Sequence, residues 1–67
     1  MSAETGLERQ IRSGNQQVVR LLPEGRYREA LELAQTVSQT SRTHLGEEHP
    51  DFATSLNNLA DLYASMG

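Results

Sequence analysis

Apolar residues fall into three stretches of helical period, separated by two short breaks. Leu7, Ile11, Gly14, Val18, Leu21 and Leu22 share one stripe when successive residues are set about 100° apart. The stripe ends at Pro23-Glu24-Gly25, where proline cannot continue the hydrogen-bond ladder and glycine permits a left-handed residue. This predicts a first helix over residues 5–22. The second stripe is Tyr27, Ala30, Leu31, Ala34, Val37, Ser38, Ser41 and Leu45, with Glu29, Glu32, Gln35, Gln39 and Arg42 opposite it and Gly46 just past its end. It predicts a helix over 26–45 whose small residues let a neighbouring helix approach closely.

Pro50 and Asp51 suit the first turn of a third helix, over 50–66. Its apolar arc holds Phe52, Ala53, Leu56, Leu59, Ala60, Leu62, Tyr63 and Met66, about half the circumference by the same construction. Thr54, Asn57, Asn58, Asp61 and Ser65 make up the polar remainder. An arc this wide predicts neighbours on two sides, of which these residues supply one. The expected architecture is all-α, with three antiparallel helices.

Composition narrows the possibilities. A chain of 67 residues without cysteine has neither the core of a large domain nor disulfides or thiolate metal sites to replace one, so it needs regular helix packing or a second copy of itself. The net charge is −3, and the basic residues, Arg9, Arg12, Arg20, Arg26, Arg28 and Arg42, are interleaved with acids. Ion pairs such as Glu8 with Arg12 and Glu24 with Arg28 are expected at helical spacing, and nucleic acid is not an expected partner. No apolar run approaches the roughly 20 residues of a membrane span, and the N-terminus lacks a signal-peptide core. No membrane partner and a cytoplasmic location follow as expectations.

A repeat is also legible. A shift of 42 residues carries Gly25 onto Gly67, Gly14-Asn15-Gln16 onto Leu56-Asn57-Asn58, Val18 onto Ala60, Leu21 onto Tyr63 and Leu22 onto Ala64. Such a period points to a solenoid, whose units bury their faces against one another. Leu56-x-x-Leu59-Ala60-x-x-Tyr63-x-x-x-Gly67 resembles the first helix of a tetratricopeptide repeat, and Tyr27-x-x-Ala30-x-x-x-Ala34-x-x-Val37 resembles the second. The loop Gly46-x-x-His49-Pro50-Asp51, followed by Ser55-Leu56-Asn57-Asn58-Leu59-Ala60, is similar to the long repeats of kinesin light chains and of many bacterial repeat proteins.

The resemblance covers residues 25–67 and fades over 1–24, where Gln17, Val18 and Leu21 replace the signature residues and Pro23 shortens the helix end. A degenerate terminal unit has this character. The resemblance thus implies about one and a half repeats of an α-solenoid in a single fragment over 1–67: a degenerate first helix of repeat 1 (5–22), its second helix (26–45) and the first helix of repeat 2 (50–66).

It further implies a scaffold that holds protein or peptide segments in a concave groove lined by Arg12, Asn15, Gln16, Val19, Thr54, Asn57, Asn58 and Asp61, with Asn15 and Asn57 equivalent under the shift. A ladder of carboxamides offers donors and acceptors to an extended peptide backbone. The same residues also read as the solvated face of two amphipathic helices. The alternative function is self-association as a homodimer or higher oligomer, with or without exchanged helices, through an uncovered apolar face at Phe52, Leu62 and Met66.

Catalytic chemistry is not expected. There is no phosphate-binding glycine loop and no recognisable nucleophile–base pattern, and Asp61 is a lone carboxylate on its strip. His44 and His49 flank Gly46 at a spacing that fits neither helical zinc motif, so no metal or cofactor is expected, and His49 is assigned to capping the third helix.

Overall fold

The computed structural model describes residues 6–67. Its helices are α1 (Gly6–Leu21), α2 (Tyr27–Leu45) and α3 (Pro50–Met66). Residue 5, the expected start of the first helix, lies outside the described residues. No strand occurs among the described residues, and the fold is all-α. None of these helices is long and apolar enough to cross a membrane.

Both connections follow from local chemistry. Beyond Leu21 the chain tightens, with Glu24 N–H donating to Leu21 O at 3.2 Å and Gly25 N–H to Leu22 O at 3.0 Å. Gly25 takes φ +74° and Gly46 φ +93°, a region that costs a side-chain-bearing residue energy. The N–H of Gly46 closes α2 by donating to Ser41 O at 3.2 Å. At the start of α3, His49 Nδ1 accepts the Asp51 N–H at 3.0 Å, with Pro50 in the first turn where its missing donor costs nothing.

Arg26 bonds to Glu29 through Nε at 2.9 Å and also pairs with Glu24 at 3.3 Å, in place of the expected Glu24–Arg28 pair. The Glu29 hydrogen bond first, then that of Glu24, raises the Arg26 pKa above its ordinary value. These groups are solvated, so the pair adds little to stability.

α2 is the central helix, packed against both others, whereas α1 and α3 share a smaller contact. Val18, Leu21, Ala30, Ala34 and Leu62 form the core, with Leu22, Leu31, Leu33 and Leu59 packed against it. At the α1–α2 crossing the helices approach so closely that a Cβ built on Gly14 would lie 2.6 Å from Val37 Cγ2. The small α2 residues Ala30, Ala34 and Ser41 are fully buried. Small residues on both helices thus set the tight hairpin.

α3 has two apolar sides, and only one is covered. Phe52, Ser55, Asn58 and Leu62 are buried, whereas Leu56, Tyr63 and Met66 are about half exposed at 48%, 56% and 49%. The expectation that Phe52 and Leu62 lie on an open face is therefore corrected. They project toward the hairpin, and the open side is carried by residues rotated from them around the helix. Met66 is exposed as expected.

Candidate functional site

A cleft of about 300 Å³ runs between α1 and α3, lined by Arg12, Asn15, Gln16 and Val19 from one helix and Asp51 and Thr54 from the other. The lining residues of α1 recur every three or four positions because that spacing keeps them on one face of a helix. Their counterparts on α3 sit in its first turn, which the Gly46 break and the His49 cap aim at α1.

Beneath the cleft lies a buried polar seam. Ser55 Oγ donates to Asn15 Oδ1 at 2.9 Å, and Asn15 Nδ2 donates to Asp51 O at 3.3 Å. Asn58 Nδ2 donates to the main-chain oxygen of Asn15 at 3.4 Å. Ser41 Oγ donates to Val37 O at 2.8 Å within α2 and stands 3.4 Å from Ser55 Oγ, which sets α2 against the seam without a hydrogen bond between the two hydroxyls. Every buried side-chain nitrogen and oxygen among the described residues has a partner, so the seam carries no unsatisfied group that would favour slippage or unfolding.

The expected site residues therefore divide. Arg12, Gln16, Val19 and Thr54 are exposed along the cleft, and Asn57 and Asp61 are exposed further along α3. Asn15 and Asn58 are only 4% and 6% exposed. The carboxamide ladder is corrected accordingly: the amide of Asn15 turns inward to Ser55 and Asp51 and forms the cleft floor, while Asn57, its partner under the 42-residue shift, faces solvent. Equivalent positions differ because α1 must contact α3 through the residues that on α3 have no such neighbour.

Asp51 is a cleft residue that the polar pattern left unassigned. Arg12 Nη2 meets its Oδ2 at 3.3 Å, with the arginine side chain 47% and the aspartate 14% exposed. The stripe Asp51, Ser55, Asn58 at spacings of four and three is the signal that could have placed it on the α1-facing side.

Glu8, His49 and Asp51 offer three ligand-type atoms within 4.8 Å of one another. Their bonding argues against a cation. The neutral imidazole has one lone pair, and at Nδ1 it accepts the Asp51 N–H. Nε2 therefore carries the proton that faces Glu8 Oε2 at 3.4 Å. Asp51 is in addition held by Arg12. The cluster ties the start of α3 to α1 and so fixes one end of the cleft.

Residues 24–51 match the model of the tetratricopeptide repeat family. That span takes in the end of the α1–α2 turn, all of α2, the connection into α3 and the first two residues of α3. No curated protein and no solved structure matches the chain significantly.

Proposed function

We propose that this chain, whose residues 24–51 match the tetratricopeptide repeat family, is a protein–protein interaction scaffold that seats an extended peptide in the α1–α3 cleft. The observation that carries the proposal is the cleft itself, whose exposed rim combines hydrogen-bonding side chains (Gln16, Thr54), a cation (Arg12) and an apolar contact, Val19 at 51% exposure. Gln16 and Thr54 serve the peptide backbone, and Val19 receives an aliphatic side chain. Asn15 positions the two walls, since its own amide is engaged below the surface.

The reading is one of binding without chemistry. Arg12 and Asp51, the ionisable pair in the cleft, neutralise each other, which leaves no free acid–base couple there.

Panning a displayed random-peptide library on the immobilised chain, then measuring selected peptides by fluorescence anisotropy, tests the proposal. Val19→Glu and Gln16→Ala should each weaken the selected peptides while helicity stays unchanged. Failure to enrich any peptide, or enriched peptides that bind both variants as well as the parent, would contradict it.

A further inference from the structure

Three contacts fix how α1 and α3 lie against each other. Arg12 meets Asp51, Asn15 meets Ser55, and Asn58 donates to the Asn15 carbonyl. Positions on α3 rise with positions on α1, so the two helices run in the same direction. One turn beyond the last of these contacts stand Val19, four residues after Asn15, and Asp61, three residues after Asn58. They belong to opposite walls of the cleft. Val19 lines it directly, and Asp61 follows the lining residue Thr54 by seven positions, two turns on in the same row.

The Asp61 carboxylate has no role in holding the fold together. It is exposed and makes no hydrogen bond or ion pair among the described residues, and aspartate is a poor residue for a helix interior. The other carboxylate of the cleft differs, since Asp51 is held by Arg12 and is only 14% exposed. Arg20, the residue after Val19, sits about 100° further round α1, on the side turned away from α3. The α3 wall thus carries one uncompensated negative charge, level with an exposed valine on the α1 wall.

An extended peptide turns successive side chains to opposite sides. When one of them rests on Val19, its neighbour in the peptide projects toward α3 and Asp61. We propose that Asp61 makes the cleft selective for peptides in which a lysine or arginine stands next to the aliphatic residue that Val19 receives. The proposal rests on the cleft being a peptide seat and names what that seat prefers. Charge complementarity with Asp61 is what favours a basic neighbour over a neutral or acidic one.

The test is to sequence the peptides enriched from the displayed random library and to measure them by anisotropy on the parent chain, Val19→Glu, Asp61→Asn, Asp61→Lys and Glu32→Lys. Enriched peptides should carry a basic residue beside an aliphatic one. Asp61→Asn should weaken them about two- to fivefold at low ionic strength, and the difference should shrink at about 0.5 M salt. Asp61→Lys should weaken them further and should prefer the peptide whose basic residue is replaced by glutamate. Glu32→Lys, the same change of charge on α2 away from the cleft, should leave binding unchanged, and every variant should keep the helicity of the parent. Peptides that lose affinity for Val19→Glu but bind Asp61→Lys as well as the parent would overturn the inference and leave the cleft reading intact. Peptides indifferent to Val19→Glu, or no enrichment at all, would remove both.

Discussion

The two seams of α1 are built from opposite materials. Against α2 it presents Gly14, Val18 and Leu21, an apolar row that meets Val37, Ala34 and Ala30. Against α3 it presents Asn15, which meets Ser55, Asn58 and the Asp51 carbonyl. An apolar seam gains free energy in proportion to the area it buries and is indifferent to small slides. A hydrogen-bonded seam gains less but is satisfied in only one register. The hairpin therefore supplies cohesion, and the polar seam sets where α3 stands and hence the shape of the cleft above it.

The largest effect should come from the apolar side. Leu62 is fully buried, and Leu62→Ala should cost about 2–5 kcal/mol. In so small a domain that is most of the available stability, so the expected outcome is loss of helicity by circular dichroism at room temperature. A cooperative melt close to that of the parent would mean that α3 contributes little to the core.

On the polar side, Asn15→Ala should cost about 1 kcal/mol, because it removes two hydrogen bonds while Ser55 Oγ can still donate to Asp51 O at 3.0 Å. Asn57→Ala, at the equivalent but solvated position, should stay within about 0.5 kcal/mol. Chemical denaturation of both variants sharpens the comparison directly, and equal effects would erase it. A double-mutant cycle with Ser55→Ala should return a coupling of about 0.5 kcal/mol or more.

Gly14 probes the closeness of the hairpin. Gly14→Ala adds a methyl group 2.6 Å from the stiff Val37 side chain and should destabilise by about 1 kcal/mol despite the better helix propensity of alanine. In a Val37→Ala background the clash is gone, and the same change should stabilise by about 0.5–1 kcal/mol. No change of sign in thermal melts would show that the helices can move apart freely.

An effect of similar size is expected at the entry to α3. His49→Ala removes the side-chain acceptor of the Asp51 N–H and should cost about 1 kcal/mol. His49→Asn, which keeps an acceptor, should recover most of it. An alanine variant as stable as the parent would mean that Pro50 alone sets the start of the helix.

Much of the fold is legible because its punctuation is strong. Pro23 with Gly25, and Gly46 with Pro50, each combine a residue that stops a helix with one that permits the turn, and the helices lie between them. The site is less legible. A 100° wheel places residues on faces; it put Asn58 in the polar remainder of α3, and the repeat resemblance put Asn15 in the groove. Burial is decided by which neighbour is present, and here the neighbour offered Ser55 and the Asp51 carbonyl to meet them. On α3 the wheel merged two apolar sides into one arc. Only packing separates Phe52 and Leu62, which are covered, from Leu56 and Tyr63, which are not.

The central claim is that partners are held in the α1–α3 cleft, and the most direct measurement is amide chemical-shift mapping. A library-selected peptide would be titrated into isotopically labelled chain. The account predicts perturbations confined to Gln16, Val19, Thr54 and their neighbours in the cleft, with Glu32, Gln39 and Tyr63 unmoved. Perturbations centred on Leu56, Tyr63 and Met66, with the cleft silent, would contradict it.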